Sequence, residues 1–335
     1  MSSGLRRILP VVLLLPLIFA AVCSGQESFS FDFLADTHTS PAGAPVEGFS
    51  ATCEHLLQAG PGDFLILGGD YDNFGRTREV IERVLVKPLA EKGRKYPFYV
   101  TVGNHDVVGA SNDKKDDDGT GLQTQAIIAH SRQLPGIVRR GPASRSKLAG
   151  YGRDGAQYTT YSFDHGNAHF IILDLFSENS YPNRGNAVMS RALLDWVKDD
   201  LARTDKKHIF VVGHRPCLSY TERRGGRKSE VPPGHLIEQG EREAFWNLLK
   251  GDSRVVAYLS GHTHRFGMKQ DGTLWQIGAA RARDNWKTHL SFTIDGDRVS
   301  CRAFREENGR YVEYDQTLRP LLTQTQPSET TAPRP

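Results

Sequence analysis

The sequence predicts a layered α/β domain in which at least part of the β-sheet is parallel. Two observations lead to this prediction. Apolar runs of strand length alternate with runs of helical spacing over the first third of the chain, and strands that alternate with helices form parallel sheets covered by helices. Several of the apolar runs also end abruptly in polar residues, often beside a glycine. This is where α/β proteins build their binding sites.

The composition is typical of a soluble globular protein. The chain has 335 residues, of which 38% are hydrophobic and 24% are charged, and it is long enough to bury a sizeable core. Its formal net charge of +3 is too small to indicate nucleic acid as a partner, so no nucleic-acid-binding module is expected. Cys53, Cys217 and Cys301 follow the leader described next, and their number allows one disulfide or none. The oligomeric state stays open.

Residues 1–25 are predicted to be a secretory signal peptide. Arg6 and Arg7 precede an apolar run over residues 8–22, and small residues follow, which is the pattern of a cleaved signal. The run is shorter than the about 20 residues of a membrane-spanning helix. We therefore expect no transmembrane anchor after cleavage and a secreted or periplasmic protein. A retained membrane span and a lipid anchor at Cys23 are the alternatives.

The predicted domain spans residues 28–310 and begins with three strands that alternate with two helices. The strands are apolar or alternate apolar with polar residues, whereas the helices repeat apolar residues at three- and four-residue spacing. In chain order these elements are the strand Phe29–Asp36, the helix Phe49–Leu57, the strand Phe64–Leu67, the helix Thr77–Lys92 and a strand that begins at Pro97.

An irregular insertion over residues 107–156 follows the third strand. Only Thr124–Leu134 shows periodicity, and residues 112–118 form a charge run that predicts a solvated loop. An insertion directly after a site motif is either disordered or a lid over the site, and the sequence does not separate the two.

The second half of the domain is predicted to add a β-hairpin, two helices and five strands. The hairpin introduces an antiparallel portion of sheet. These elements are the hairpin within Gln157–Leu175, the helix Ser190–Leu201, the strand Ile209–Val212, the helix Gln239–Lys250 and the strands Val255–Leu259, Leu274–Ile277, Leu290–Ile294 and Arg298–Phe304. The loop over residues 222–234 is basic and is either a wall for an anionic substrate or a solvated charged loop. Residues 318–335 are rich in Thr and Pro and are predicted to be a disordered tail.

Five predicted strands end in side chains that could bind metal ions. These are Asp36 with His38, Asp70, Asn104 with His105, His214, and His262 with His264. Any one of them alone is weak support, but carboxylates, an amide and imidazoles together suit divalent Mn, Fe or Zn, and one carboxylate can bridge two ions. Because side chains two residues apart in an extended chain point to the same side, we expect Asp36 and His38 to share a direction, and likewise His262 and His264.

In this order the motifs resemble those of the calcineurin-like metallophosphoesterases. The motif set is D-x-H, G-D-x-x-N, G-N-H-D, G-H and G-H-x-H, and the resemblance covers Ser28–Phe304. It is most similar to the secreted branch that includes purple-acid-phosphatase-like and class III phosphodiesterase-like proteins. The resemblance implies the metallo-dependent phosphatase fold, a four-layer α/β/β/α sandwich of two mixed sheets, with the site where the strand ends of the two sheets converge.

The resemblance also implies two divalent metal ions and a role for each candidate residue. The residues implied to hold the first ion are Asp36, His38 and His264. The residues implied to hold the second ion are Asn104, His214 and His262. Asp70 is implied to bridge the two ions. His105 is implied to lie beside the scissile phosphate as a general acid or a stabiliser of the transition state, and Asp106 either orients neighbouring groups or is an ordinary turn carboxylate.

Two positions depart from the purple acid phosphatases. These enzymes have Gly at the position of His38, and they have Tyr three residues after the bridging Asp, where this chain has Asn73. Tyr71 follows Asp70 by one residue, so strand alternation should turn it away from the ions. We therefore expect no tyrosinate–iron charge-transfer colour, and the sequence does not specify a mixed-valent iron pair.

We accordingly expect a secreted hydrolase that cleaves phosphate mono- or diesters of a small phosphorylated substrate. The resemblance implies in-line attack of a metal-bridging hydroxide on phosphorus, with His105 protonating the leaving oxygen. One alternative is a non-catalytic metal-binding scaffold or binding protein on the same fold, which should have lost ligands or His105. Another is a different metallohydrolase, but the H-x-H-x-D-H block that it predicts is absent from the sequence.

Overall fold

Two mixed β-sheets lie face to face at the centre of the fold, and helices cover their outer faces. The computed structural model describes residues 28–39, 46–107, 122–142, 151–152, 154–178, 186–224, 227–283 and 287–319. Numbered along the chain, the strands are β1 (Phe29–Leu34), β2 (Phe64–Leu67), β3 (Phe98–Val100), β4 (Ile137–Arg140), β5 (Tyr161–His165), β6 (Ala168–Ile172), β7 (Val188–Met189), β8 (His208–Val212), β9 (Thr221–Arg224), β10 (Arg227–Glu230), β11 (Gln239–Gly240), β12 (Val255–Ser260), β13 (Gly267–Asp271), β14 (Leu274–Gly278), β15 (Thr288–Asp295), β16 (Arg298–Glu307) and β17 (Arg310–Arg319).

Seven α-helices lie in the described ranges. They are α1 (Glu47–Ala59), α2 (Phe74–Ile81), α3 (Lys87–Glu91), α4 (Leu122–Arg132), α5 (Ala156–Thr159), α6 (Arg191–Arg203) and α7 (Arg242–Gly251). A π-turn over Glu82–Val86 joins α2 to α3, so the single helix predicted there is continuous. It ends at Glu91, and Gly93 in the turn that follows has a φ of +74°, which suits glycine.

The first sheet has the order β17-β16-β15-β1-β2-β3, and the second has the order β13-β14-β12-β8-β6-β5-β4. Strands β1, β2 and β3 are parallel, as are β6, β8, β12 and β14. The remaining pairs are antiparallel: β15 with β1 and β16, and β16 with β17 in the first sheet, and β13 with β14, and β5 with β4 and β6 in the second. The prediction of two mixed sheets is therefore confirmed, and β5 with β6 forms the predicted hairpin.

An aromatic core fills the space between the sheets. The Phe31 side chain is fully buried. Its ring stacks on Phe292 at a centroid distance of 4.6 Å and meets Phe170 and Phe210 edge-on at 5.0 Å each. Such contacts contribute beyond the burial of apolar area. Because alternate residues of a strand face opposite sides, Asp32 faces the helix layer instead. The Phe-x-Phe-x-Phe pattern of β1 thus fixes which face of the first sheet packs on the second.

Some structure lies where the sequence predicted none. Strand β4 and helix α4 lie within the 107–156 insertion, and α4 overlaps the periodic segment Thr124–Leu134. Residues 108–121 and 143–150 of the insertion lie outside the described part of the chain. The basic loop contains the two-stranded ribbon β9–β10, and the side chains of residues 222–229 are not described. Strand β17 extends beyond residue 310, the predicted end of the domain. The predicted signal peptide, residues 1–25, and residues 320–335 of the predicted tail are outside the described ranges.

The described cysteines and helices bear on two further expectations. Cys53, Cys217 and Cys301 are buried as free thiols, which corresponds to the option without a disulfide among these three. Of the helices in the described ranges, none combines the length and the apolar composition needed to cross a membrane.

Candidate metal centre

The loops that follow β1, β2, β3, β8 and β12 meet at the carboxyl ends of these strands. Asp36, Asp70 and Asn104 follow the parallel neighbours β1, β2 and β3, whose carboxyl ends lie at one edge of the first sheet. His214 and His262 follow β8 and β12, which are parallel neighbours in the second sheet. Both sheets therefore deliver polar side chains to the same place.

The candidate ligands form two groups that share Asp70. The first group is Asp36, His38, Asp70 and His264, and the second is Asp70, His214 and His262. Within each group the donor atoms all lie within 4.8 Å of one another. Asp70 Oδ2 lies 3.1 Å from His214 Nε2 and 3.9 Å from His38 Nε2, so one carboxylate oxygen faces both groups. Asn104 Oδ1 lies 3.2 Å from His214 Nε2 and so adjoins the second group.

The spacing of these donor atoms suits two bound cations. Two ligands about 2.1 Å from one ion lie about 3.0 Å apart at a right angle and about 3.4 Å apart at a tetrahedral angle. His38 Nε2 and His264 Nε2 are 3.0 Å apart, and Asp36 Oδ1 is 3.3 Å from His264 Nε2. Two imidazole nitrogens this close need a proton or a cation near their lone pairs. The mixed nitrogen and oxygen donors suit Mn, Fe or Zn.

The imidazoles are oriented by partners on the side away from the groups. His214 Nδ1 lies 2.7 Å from the carbonyl oxygen of Gly68, so it carries the proton and donates. His38 Nδ1 lies 3.0 Å from Asp72 Oδ2 and donates in the same way. Each hydrogen bond leaves Nε2 as the atom available to an ion, which is the usual arrangement of metal-binding histidines.

His105 lies beside both groups and shares a carboxylate with His38. Its Nδ1 is 2.9 Å from Asp72 Oδ1, while its Nε2 is 4.0 Å from Asp70 Oδ2. The side chain is 32% exposed, compared with 1% for Asp70. Asp72 thus joins a candidate ligand of the first ion to the candidate general acid.

Comparisons with known proteins identify the family and the fold. A sequence profile described as calcineurin-like phosphoesterase matches residues 29–266. The chain belongs to the calcineurin-like phosphoesterase family. Solved structures of the same fold include a dimetal phosphatase from Danio rerio (TM-score 0.55, 14% identity, 87% of this chain and 98% of that chain covered) and PhoD (TM-score 0.52, 12% identity, 87% and 68% covered). No curated protein sequence gives a significant match.

The backbone of this phosphoesterase reaches the centre through left-handed turns rather than extended strands. Asp36, His38, His262 and His264 have φ values of 53°, 42°, 68° and 56°. The expectation that strand alternation aims these side chains is therefore wrong. His264 belongs with Asp36 in the first group whereas His262 belongs to the second, so they do not share a direction. Asp36 and His38 do meet in one group, because of the turn.

Glycines before the ligands allow the loops to approach one another. Gly69 has a φ of +91°, and a Cβ there would lie 2.8 Å from His214 Nδ1. A Cβ on Gly103 would lie 2.2 Å from Asp70 Oδ1. Both distances are shorter than a van der Waals contact, so a side chain at either position would push a candidate ligand aside.

Asp106 organises the loops that carry the shared carboxylate. Its side chain accepts hydrogen bonds from the backbone N–H groups of Gly103, Asp70 and Tyr71 at 2.8–2.9 Å. Of the two roles left open by the sequence, this arrangement matches the orienting one. Burial and the charge of Asp70 raise the pKa of Asp106 to about 7, although the backbone donors oppose the shift.

Burial and neighbouring charges act differently on the other titratable groups. Burial would raise the pKa of Asp70, but the charge and hydrogen bond of His214 hold it well below its usual range. Burial and the nearby His214 lower the pKa of His262, which favours the neutral imidazole that an ion requires. Burial would lower the pKa of His105, but its hydrogen bond to Asp72 and the charge of Asp70 raise it to about 9.

Tyr71 and Asn73 have structural partners. Tyr71 is fully buried, and its hydroxyl donates to the carbonyl of Thr101 at 2.8 Å, so it points away from both groups as expected. Asn73 Oδ1 accepts from Arg76 N at 3.0 Å and caps α2.

Three residues near the centre were missed by the sequence analysis. Asp72 is one, and the D-Y-D-N run around it could have drawn attention to a second acid. His235 is exposed, and its ring centroid lies 5.2 Å from that of His262; only a histidine after Pro-Pro-Gly marks it in the sequence. Arg283 donates to the carbonyl of His38, for which the sequence offers no signal. That the seven candidate ligands bind ions stays a prediction.

Proposed function

We propose that this protein is a secreted, dinuclear metal-dependent phosphoesterase that hydrolyses small phosphate mono- or diesters. The observation that carries the proposal is the pair of donor groups that share Asp70 beside His105. Hydrolysis of a phosphoric ester needs positive charge near the phosphate oxygens and a proton donor for the leaving group. The two donor groups would hold cations that supply the charge, and His105 would supply the proton.

Two divalent ions of the Mn, Fe or Zn type would be held by residues of both sheets. For the first ion these residues are Asp36, His38 and His264. For the second they are Asn104, His214 and His262. Asp70 would serve both ions. When bound, such ions supply a nucleophile at neutral pH and offset the charge of the phosphate group.

His105 is the residue that we propose to hold the proton for the leaving oxygen. Its Nδ1 is engaged by Asp72 at 2.9 Å, which leaves Nε2 as the atom that can transfer a proton. The side chain is one-third exposed, so a substrate can reach it from solvent. Its Nε2 lies 4.0 Å from the Asp70 oxygen that faces both donor groups, so the proton would be held beside the residues that would bind the ions.

Secretion is supported by the leader pattern in residues 1–25 alone. Expression of the full chain followed by mass analysis of the exported form tests it, and the mature chain should begin near residues 24–27. A product that retains the apolar run and sediments with membranes would contradict cleavage and favour one of the two anchored alternatives.

The function is tested by hydrolysis after reconstitution with Mn²⁺, Fe²⁺ or Zn²⁺ in parallel. The substrates are p-nitrophenyl phosphate, its bis ester and a cyclic nucleotide, and metal analysis of the same samples gives the number of ions. His105→Ala should keep both ions and lose about 10²–10⁴-fold in turnover, whereas His262→Ala should lose one ion. Two bound ions without hydrolysis of any ester would favour the non-catalytic scaffold, and failure to bind ions would refute both functions.

A further inference from the structure

The turn that carries two candidate ligands has a strained backbone. It connects β12 to β13 and contains His262 and His264 at φ values of 68° and 56°. For residues other than glycine, left-handed backbone is unfavourable by about 1–3 kcal/mol and persists only where surrounding contacts hold it. The two side chains also face different groups, so a small rotation of the turn would misplace both.

The side chains of Asp36 and Tyr220 both contact this turn. The Asp36 carboxylate accepts a hydrogen bond from the backbone N–H of His262 at 2.9 Å. The hydroxyls of Thr263, which lies between the two histidines, and Tyr220 are 2.7 Å apart and form a hydrogen bond. Thr263 is 7% exposed and Tyr220 is 2% exposed, so water has little access to replace their bond.

Tyr220 is itself fixed by close packing. A Cβ added to Gly267 would lie 2.4 Å from the Tyr220 ring, and one added to Gly278 would lie 2.1 Å from its hydroxyl oxygen. These glycines pair with each other across β13 and β14. The strands thus form a slot into which the ring fits, and this slot sets where the hydroxyl lies.

The same tyrosine belongs to the segment between His214 and α7. With Val231 and Leu236 it forms a small buried cluster, and this segment brings His235 beside His262. At the base of the segment, buried Arg215 donates to the carbonyl oxygens of Gly234 and Leu236. The Tyr220 hydroxyl therefore connects the segment that contains His235 to the turn that carries two candidate ligands.

We propose that Tyr220 is a positioning residue of the metal centre. Through Thr263 its hydroxyl holds the two-histidine turn so that His262 and His264 each reach their own ion. This proposal rests on the proposed function, because it requires the two-ion centre. Loss of such an outer partner typically weakens metal binding about 10- to 100-fold.

The test uses variants that remove the hydroxyl contact and keep the packing. Tyr220→Phe leaves the ring in its slot, and Thr263→Val removes the other hydroxyl without changing the shape of the side chain. Calorimetry measures the affinities for Mn²⁺ and Zn²⁺. The electron paramagnetic resonance spectrum of the Mn²⁺-loaded protein shows whether two ions share one carboxylate, because such ions couple magnetically. We expect each variant to bind the weaker ion about 10- to 100-fold less tightly and to lose the coupled signal.

The double variant and two controls separate positioning from general damage. If both hydroxyls act through one bond, Tyr220→Phe with Thr263→Val should be no worse than the more affected single variant. Thr263→Ser keeps a hydroxyl and should restore most of the affinity. Tyr96→Phe also removes a buried hydroxyl, one that donates to Asp32 at 2.7 Å, and it should leave metal affinity unchanged.

The outcomes distinguish the two proposals. A wild-type protein that binds fewer than two ions would refute the proposed function. Two ions in the wild type with unchanged affinity and unchanged coupling in Tyr220→Phe and Thr263→Val would refute the role of Tyr220 alone. If Tyr220→Phe does not fold, Thr263→Val on its own still decides, because it removes the same hydrogen bond without touching the slot. Additive losses in the double variant would also overturn the proposal.

Discussion

Asp72 offers the sharpest prediction about the centre, because one carboxylate serves two histidines of different roles. Its Oδ1 lies 2.9 Å from His105 Nδ1 and its Oδ2 lies 3.0 Å from His38 Nδ1. Burial would raise the pKa of Asp72, but these two hydrogen bonds hold it well below its usual range, so the carboxylate is ionised and accepts from both rings. Asp72→Asn offers one oxygen and one NH₂ group in its place. The NH₂ group must then face an imidazole N–H, and one of the two bonds is lost.

The size of the effect follows from the kind of bond. A hydrogen bond to a charged group contributes about 1.5–3 kcal/mol, which corresponds to about 10- to 150-fold in a rate or binding constant. If the bond to His105 is lost, the fall appears in kcat at saturating metal. If the bond to His38 is lost, the fall appears in the affinity for one ion. Asp72→Ala removes both bonds and should show both effects.

The assay measures kcat at saturating Mn²⁺ for an ester with a good leaving group and one with a poor leaving group, and separately the metal affinity. Loss of the His105 bond should reduce kcat more for the poor leaving group, which needs the proton. Asp164→Asn is the matched control. Asp164 Oδ1 lies 2.6 Å from His169 Nδ1, so it is also a carboxylate that accepts from a histidine, but neither residue belongs to the candidate centre. If Asp72→Ala kept both kcat and metal affinity within threefold of the wild type, the reasoning would be refuted.

Two further predictions concern stability. Burial raises the pKa of Asp32 from 3.8 to about 6, so the folded state binds this proton more tightly and the ionised form is destabilising above pH 6 by about 3 kcal/mol at 1.36 kcal/mol per unit. Asp32→Asn can keep the bonds to Ser291, Tyr96 and Gly62 and should raise the melting temperature at pH 8. The gain should vanish below about pH 3, where the carboxyl is protonated in both the folded and the unfolded state. A gain independent of pH would contradict this account. Mn²⁺ at about 1,000 times its Kd should raise the free energy of unfolding by about 4 kcal/mol per ion. The melting temperature should rise with it, and EDTA should reverse that rise.

The fold and the shared carboxylate site were predictable because they depend on local patterns. The alternation in β1 and the short apolar run of β2 each end in a polar residue, and parallel strands bring such ends to one edge. The family resemblance divides the ligands into two sets, and the structure brings the same side chains together around Asp70. Each strand end and each motif is a short stretch that can be recognised in one sequence, and the order of the motifs along the chain then identifies the set.

Contacts that depend on exact backbone conformation were not predictable. The left-handed φ of His262 reverses the inference from spacing, because two-residue alternation applies only to extended chain. Asp72 has a φ of 58°, which turns its side chain toward two histidines that lie far from each other in the sequence. Strand β17 was missed because its residues are mostly exposed, and an edge strand with little burial has no apolar pattern to reveal it.

The centre is held together by bonds that cross from one sheet to the other before any ion is considered. His214 of the second sheet donates to Gly68 of the first at 2.7 Å, and the backbone of His262 donates to Asp36 at 2.9 Å. In the same centre His264 Nε2 lies 3.0 Å from His38 Nε2 and 3.3 Å from Asp36 Oδ1, where the lone pairs of these donor atoms would repel one another without positive charge between them. The scaffold therefore maintains an arrangement that favours cations, and ions bound there would link the two sheets further. Binding of ions and cohesion of the sandwich should for this reason depend on the same hydrogen bonds.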